Sequence, residues 1–191
     1  MPLRILSWNI AGAKYLLKDG QHMEGWDQCD LIILQETWAI AALPVSGYVL
    51  HHTEAVKIRR QGHPTGGLAV YVAACLDIAS EQLSLTISGL QIVKLSHWAR
   101  TRKHPLLIFN VYVNPNRKKK QVTLDAIMGT ISEQKKLNLC WDIIVTGDFN
   151  SNLLYSPEKD EILSAENELW KIPPLCKQGM KRKNKKVETF I

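Results

Sequence analysis

A chain of 191 residues with 46% apolar and 22% charged residues has the length and composition of one globular domain with its own core. Of the formal net charge of +6, most sits in residues 177–191, where Lys177, Lys181, Arg182, Lys183, Lys185 and Lys186 face only Glu188, so the body is close to neutral. Four scattered cysteines (Cys29, Cys75, Cys140, Cys176) without a Cys-x-x-Cys pair argue against a thiolate metal site or a disulfide scaffold, and no apolar run is long enough for a membrane span or a secretory signal.

In chain order, Leu3 to Ile10 reads as a strand ending at Asn9, with Ala11-Gly12-Ala13 opening a loop. Residues 14–28 carry a weak helical pattern in Leu16, Leu17, Met23 and Trp26. Leu31-Ile32-Ile33-Leu34 is a continuous apolar run, suited to a strand buried on both faces, and it delivers Gln35-Glu36-Thr37 at its carboxyl end. Residues 39–65 read as loop because Pro44, Gly47, Gly62 and Pro64 punctuate them. Thr65-Gly66-Gly67 leads into a strand at 68–72, and 83–98 alternates around Gly89 as an antiparallel hairpin. Leu106 to Val113 is the next strand, stopped by Pro115, which cannot donate to a ladder.

The basic cluster Arg117-Lys118-Lys119-Lys120 follows, and then Leu124, Ile127, Met128, Ile131 and Leu137 recur at helical spacing, predicting a helix over 121–139. Ile143-Ile144-Val145 reads as a central strand, broken at Gly147 and followed by Asp148 and Asn150. Two residues apart on an extended chain, these side chains leave one face, pairing a base or metal ligand with a donor for an anionic oxygen. An Asx turn explains the same two residues equally well, and a solvated loop acid remains the alternative for Glu36. A further helix is predicted over 158–170, ended by Pro173-Pro174. The alternation of strands and helices indicates an α/β protein of mixed sheets, with residues 1–176 as the domain and 177–191 as a basic tail.

Five strand-end motifs now stand in a fixed order: Ser7-Trp8-Asn9-Ile10, Gln35-Glu36-Thr37, Thr65-Gly66-Gly67, Asn110-Val111-Tyr112-Val113-Asn114-Pro115 and Gly147-Asp148-Phe149-Asn150. In these the chain resembles the endonuclease/exonuclease/phosphatase superfamily, and within it the endonuclease domains of LINE-type non-LTR retrotransposons. The resemblance implies a four-layer sandwich of two mixed β-sheets flanked by helices, and hydrolysis of phosphoesters with Mg²⁺, or Mn²⁺ in its place. It makes Glu36 the principal metal ligand with Asn9 beside it, sets Tyr112 against the scissile phosphate, has Asp148 activate the attacking water, and has Asn150 hold phosphate and nucleophile in line. The family closes with two further strands bearing an Asp and a Ser-Asp-His run. Neither follows Asn150 here, so the resemblance is to a domain lacking its closing strands, with impaired catalysis.

Three functions compete on these grounds: a Mg²⁺-dependent DNA endonuclease of retrotransposon origin, a catalytically inactive nucleic-acid- or metal-binding remnant, and a small-phosphoester phosphatase. DNA is the expected partner, with no membrane, no protein partner and a monomeric state. The run Lys181-Arg182-Lys183-Asn184-Lys185-Lys186 resembles a nuclear import signal, so a nuclear or cytoplasmic location is expected rather than secretion.

Overall fold

The apolar runs of this chain are strands of two sheets packed face to face. The computed structural model describes residues 3–13, 25–57, 62–84, 87–96, 104–115, 117–137 and 141–150, with the side chains of 117–119 excepted. The first sheet has the order β1 (Ile5–Asn9), β2 (Leu31–Gln35), β4 (Leu68–Ala73), β3 (Tyr48–Thr53). Its β1–β2 pair is parallel, whereas β4 runs antiparallel to both β2 and β3. The second has the order β5 (Ser80–Leu83), β6 (Leu90–Leu95), β7 (Leu106–Tyr112), β8 (Asp142–Asp148). Two antiparallel pairs there are followed by a parallel β7–β8 pair. The parallel pair needs a crossover, and α1 (Arg117–Leu137) supplies it.

Strand side chains alternate between faces, and three apolar layers result. Leu31, Ile33, Val70 and Val72 of the first sheet meet Val93, Leu95, Leu106 and Ile108 of the second in the central layer. Ile32, Leu34, Ala69 and Tyr71 point the other way and are covered by Trp26, Ile10, Ala13 and Val45. On the far side of the second sheet, Leu107, Phe109, Val111 and Ile143 take Leu124, Ile127 and Ile131 of α1. Burial of each such side chain contributes on the order of 1.5–3 kcal/mol. β2 and β4 are buried along their whole length, which is why they carry no polar alternation.

Some boundaries differ from expectation. Residues 39–65 contain a strand, β3, preceded by a turn in which the Tyr48 N–H donates to the Val45 carbonyl. As an edge strand paired only with β4 it stays half-buried and mixes His51, His52 and Thr53 with apolar residues, so it lacks the apolar run that marks its neighbours. The helix predicted from 121 begins at Arg117, because Lys and Arg are good helix formers and extend the amphipathic segment backwards. The hairpin expected over 83–98 is formed by the shorter strands β5 and β6, and the strand expected over 3–10 is Ile5–Asn9. Of the helix predicted over 14–28, the described part holds a single 3₁₀ turn, Trp26–Gln28. The predicted helix at 158–170 and the basic tail lie outside the described residues.

Candidate active site

Strand parity decides which side chains gather at the end of the sandwich. On β1, Ile5, Ser7 and Asn9 share one face, and Ile5 packs in the central layer. On β7 the same face carries Leu106, Ile108, Asn110 and Tyr112, and on β8 it carries Ile144, Thr146 and Asp148. Asn9, Tyr112 and Asp148 therefore all point between the sheets, from the last position of their strands, and Tyr112 sits directly beside Asp148 in the β7–β8 register.

Glu36 does not follow this rule. Its even-numbered neighbours Ile32 and Leu34 face the outer layer, so a regular strand would send the Glu36 carboxylate away from the other three. Glu36 instead adopts φ 50°, the left-handed region, immediately after β2 ends at Gln35. That turn brings its carboxylate to the opposite sheet, where the Tyr112 hydroxyl donates to Oε1. A strained non-glycine conformation persists only where its surroundings fix it. Here the Gly12 N–H donates to the Glu36 carbonyl at 2.8 Å and the Thr37 N–H to the Gly67 carbonyl at 3.1 Å.

The Asp148 carboxylate accepts from the opposite sheet in turn. Asn9 Nδ2 donates to Oδ2 at 2.6 Å, the Asn150 N–H to Oδ1 at 3.0 Å, and Asn150 Nδ2 to Oδ2 at 3.3 Å. Asn150, at φ 45°, also donates from Nδ2 to the Val113 carbonyl at 2.9 Å. Each sheet thus presents one carboxylate, and each carboxylate is oriented by a donor from the other sheet. Burial, followed by the hydrogen bond to Glu36, pushes the Tyr112 phenol well above its ordinary range, so it stays a hydroxyl donor and is no anionic nucleophile.

A layer of buried polar residues lies one rung beneath. Gln35 Nε2 donates to Asn110 Oδ1 at 2.9 Å, and Asn110 Nδ2 donates to Gln91 Oε1 at 3.1 Å and to the Leu34 carbonyl at 3.1 Å. Gln91 Nε2 continues to Gln82 Oε1 at 3.0 Å, and Gln82 Nε2 to Thr53 Oγ1 at 3.2 Å. The chain of bonds ends at the β3–β5 edge in a cavity of about 400 Å³ lined by His52, Thr53, Gln82 and Gln91, remote in the sheet order from β1 and β8. Sequence reading named Asn9, Glu36, Tyr112, Asp148 and Asn150, and the structure brings all five to one end. Gln91 carries no mark in the sequence, and Gln35 and Asn110 stand there only inside the strand-end motifs. The available signal was a carboxamide interrupting an apolar strand, as Asn110 does within Leu106–Tyr112.

The fold agrees with the comparisons with known proteins. The model of the Endonuclease/Exonuclease/phosphatase family matches residues 6–157. The chain belongs to that family. Solved structures share its fold at low identity. One is an AP endonuclease from Archaeoglobus fulgidus (TM-score 0.52, 17% identity, 84% of this chain and 63% of that one). Another is the 3′ phosphatase NExo from Neisseria bound to a product DNA hairpin (TM-score 0.57, 16% identity, 83% of this chain and 63% of that one). The human Nocturnin catalytic domain with bound sulfate is a third (TM-score 0.56, 14% identity, 87% of this chain and 75% of that one). The chain spans about 63% of the length of the first two. No curated protein sequence matches it.

For an Endonuclease/Exonuclease/phosphatase domain the donor chemistry of this site bears on metal choice. Among the described residues no group of three or more His, Cys, Asp or Glu could form a closed cage. What gathers here is oxygen: two carboxylates, two carboxamides and a phenol. Such a sparse, carboxylate-centred set fits a hard divalent cation that keeps several waters. Among the described residues no helix is long and apolar enough to cross a membrane.

Proposed function

We propose that this chain is a Mg²⁺-dependent phosphodiesterase acting on DNA, of the retrotransposon-endonuclease kind. The observation that carries the reading is the reciprocal pairing of Glu36 with Tyr112 and of Asp148 with Asn9 across the two sheets. In this reading Glu36 holds the cation, with the Asn9 carboxamide beside it, and Mn²⁺ can take the same place. When bound, the cation supplies Lewis-acid stabilisation of charge on the phosphate oxygens. Asp148, oriented by three N–H donors, takes the proton of the attacking water as its oxygen bonds to phosphorus. The bond to the leaving oxygen breaks, and that oxygen is protonated from solvent. The Tyr112 hydroxyl, which donates to Glu36, transfers that bond to a non-bridging oxygen of the bound phosphate. Asn150, bonded to Asp148 and to Val113, positions the base more directly than it positions phosphate.

Charge placement supports a polyanionic substrate. β7 ends at Tyr112, and α1 begins five residues later with Arg117, Lys118, Lys119 and Lys120 and no acid in its first turn. Basic residues at a helix start oppose its dipole, which offsets part of the helix propensity of this run and suits an anion bound from outside.

Plasmid nicking tests the reading. Nicking in Mg²⁺ is expected to stop with EDTA and to fall by about 10²–10⁴ in Asp148→Asn, the usual loss for a general base. Glu36→Gln should raise the Mg²⁺ concentration needed for half-maximal activity. Nicking that is indifferent to EDTA, or equal in wild type and Asp148→Asn, would overturn the proposal. Cleavage of a terminal phosphomonoester without any nicking would shift it to the phosphatase alternative.

A further inference from the structure

Two positions after Glu36 the chain begins an aromatic stack that the chemistry above does not use. The Trp38 and His63 rings lie 4.0 Å apart between centroids, with planes only 17° from parallel. Trp38 has φ 52°, a conformation that bulky residues rarely adopt, and it is the third such residue in this corner after Ala11 at 47° and Glu36 at 50°. The cost of holding an indole there is met by neighbouring loops. The Trp38 N–H donates to the Gly66 carbonyl at 3.0 Å, and the Gly12 main chain lies so close that a Cβ there would be 2.6 Å from Trp38 Cε3.

His63 is held as firmly at its base. Val56 and Thr65 form a bridge with N–H to carbonyl distances of 2.9 and 3.0 Å in the two directions, and His63 Nδ1 donates to the Pro64 carbonyl at 2.9 Å. Trp38 is half-buried whereas His63 is exposed, so the stack runs outward from Gly12 and ends in a solvent-facing imidazole. One residue separates Trp38 from Glu36, which places their backbones within about 7 Å. The strained, half-buried indole packs on Gly12 and carries on its other side an exposed imidazole, so the stack ends in an aromatic surface that burial does not explain.

We infer that the Trp38–His63 stack is a platform for one unpaired nucleobase adjacent to the scissile phosphate. The base lies on the outer face of the imidazole and extends the stack to three rings. Every base has a π-face, so such a platform is tolerant of sequence and favours single-stranded or unstacked positions over continuous duplex. The inference rests on the phosphodiesterase reading and adds to it the state of the substrate at the cleavage position.

The experiment compares the 191-residue chain on an oligothymidylate and on an abasic strand of equal length and charge, by fluorescence anisotropy in EDTA so that nothing is cleaved. Wild type should bind the base-bearing strand about tenfold more tightly, as one stacked base provides. His63→Leu, which keeps the indole covered but offers no ring, should bind both strands alike, and His63→Phe should keep the preference because the platform needs a ring and no charge. Equal binding of the two strands by wild type would overturn the inference, as would a preference that survives in His63→Leu. Hydrolysis of bis(p-nitrophenyl) phosphate by wild type in Mg²⁺ is followed in parallel and reports the phosphodiesterase reading alone, since that diester has no base. Base preference without hydrolysis would leave the platform standing and remove the catalytic reading.

Discussion

Asn110 is the residue whose loss should be felt most widely, and the effect can be worked from its bonds. It is fully buried, accepts from Gln35 Nε2, and donates to Gln91 Oε1 and to main-chain carbonyls of β2 and β4. Asn110→Ala deprives Gln91 Oε1 of its donor and leaves Gln35 Nε2 with only the longer contacts to Ser7 Oγ at 3.3 Å and the Ile33 carbonyl at 3.4 Å. Each buried polar group left without a good partner costs about 1–3 kcal/mol, and the space vacated by the carboxamide adds about 1 kcal/mol. The expected destabilisation is on the order of 3–5 kcal/mol, a large part of the roughly 5–15 kcal/mol that holds a domain folded. In urea, with a slope of about 2 kcal/mol/M, the midpoint should fall by roughly 2 M. The triple variant Gln35→Met, Asn110→Leu, Gln91→Met removes donors and acceptors together and should lose less than Asn110→Ala alone, because no carboxamide of this trio remains unpaired. A midpoint for Asn110→Ala that matches a surface substitution, within about 0.5 kcal/mol, would refute the claim that this layer locks the sheets.

Three further outcomes are expected. Burial raises the phenol pKa of Tyr48, Tyr71 and Tyr112 above the ordinary 10.0, so between pH 10 and the folded-state values the unfolded chain binds fewer protons than the native one. Stability should therefore be intact below pH 10 and fall as pH rises beyond it, with phenolate absorbance of these residues appearing only on unfolding; its appearance before the circular-dichroism transition would contradict the burial argument. Gly147 has φ 146°, and a Cβ there would lie 1.9 Å from the Val111 carbonyl oxygen, so Gly147→Ala must displace β8 from β7 and should lower stability by more than about 3 kcal/mol in a thermal melt, against about 1 kcal/mol for an unstrained glycine site. Asn9→Asp puts a second carboxylate where an amide donates to Asp148 at 2.6 Å. The pair should then share a proton, shifting the acid limb of the pH–rate profile for nicking upward, and an unchanged profile would remove Asn9 from the site.

The apolar strands β2, β4 and β7 were legible because they are buried on both faces or nearly so, and a run such as Leu31–Leu34 has no other stable use. β8, expected as a central strand, stands instead at the end of its sheet among the described residues and is only half-buried, its apolar run being used against β7 and α1. β3 was not legible, since an edge strand needs only one good face and Tyr48–Thr53 hides its pattern behind two histidines. The membership of the site was legible one strand end at a time: a polar residue released from an apolar run has to face something. The buried layer was harder to see, because Gln35 and Asn110 look like ordinary polar residues near strand ends until the parity of both sheets is known. Only the packing shows that they meet each other across 75 positions of sequence.

Glu36 shows why parity alone could not have finished the task. By alternation it belongs with Ile32 and Leu34 on the outer face, and a helix-like or extended continuation of β2 would leave the Asp148 side of the cleft without its second carboxylate. One left-handed residue corrects this, held by carbonyl and amide groups of the 11–13 and 66–67 loops. Those loops follow Asn9 and precede β4, so the Gly66-Gly67 pair that reads in sequence as a turn before a strand also helps to aim the carboxylate. The same two loops fix Trp38 two residues later. Aiming the carboxylate and placing the aromatic stack are therefore one structural act, and a change that relaxes either loop should move both.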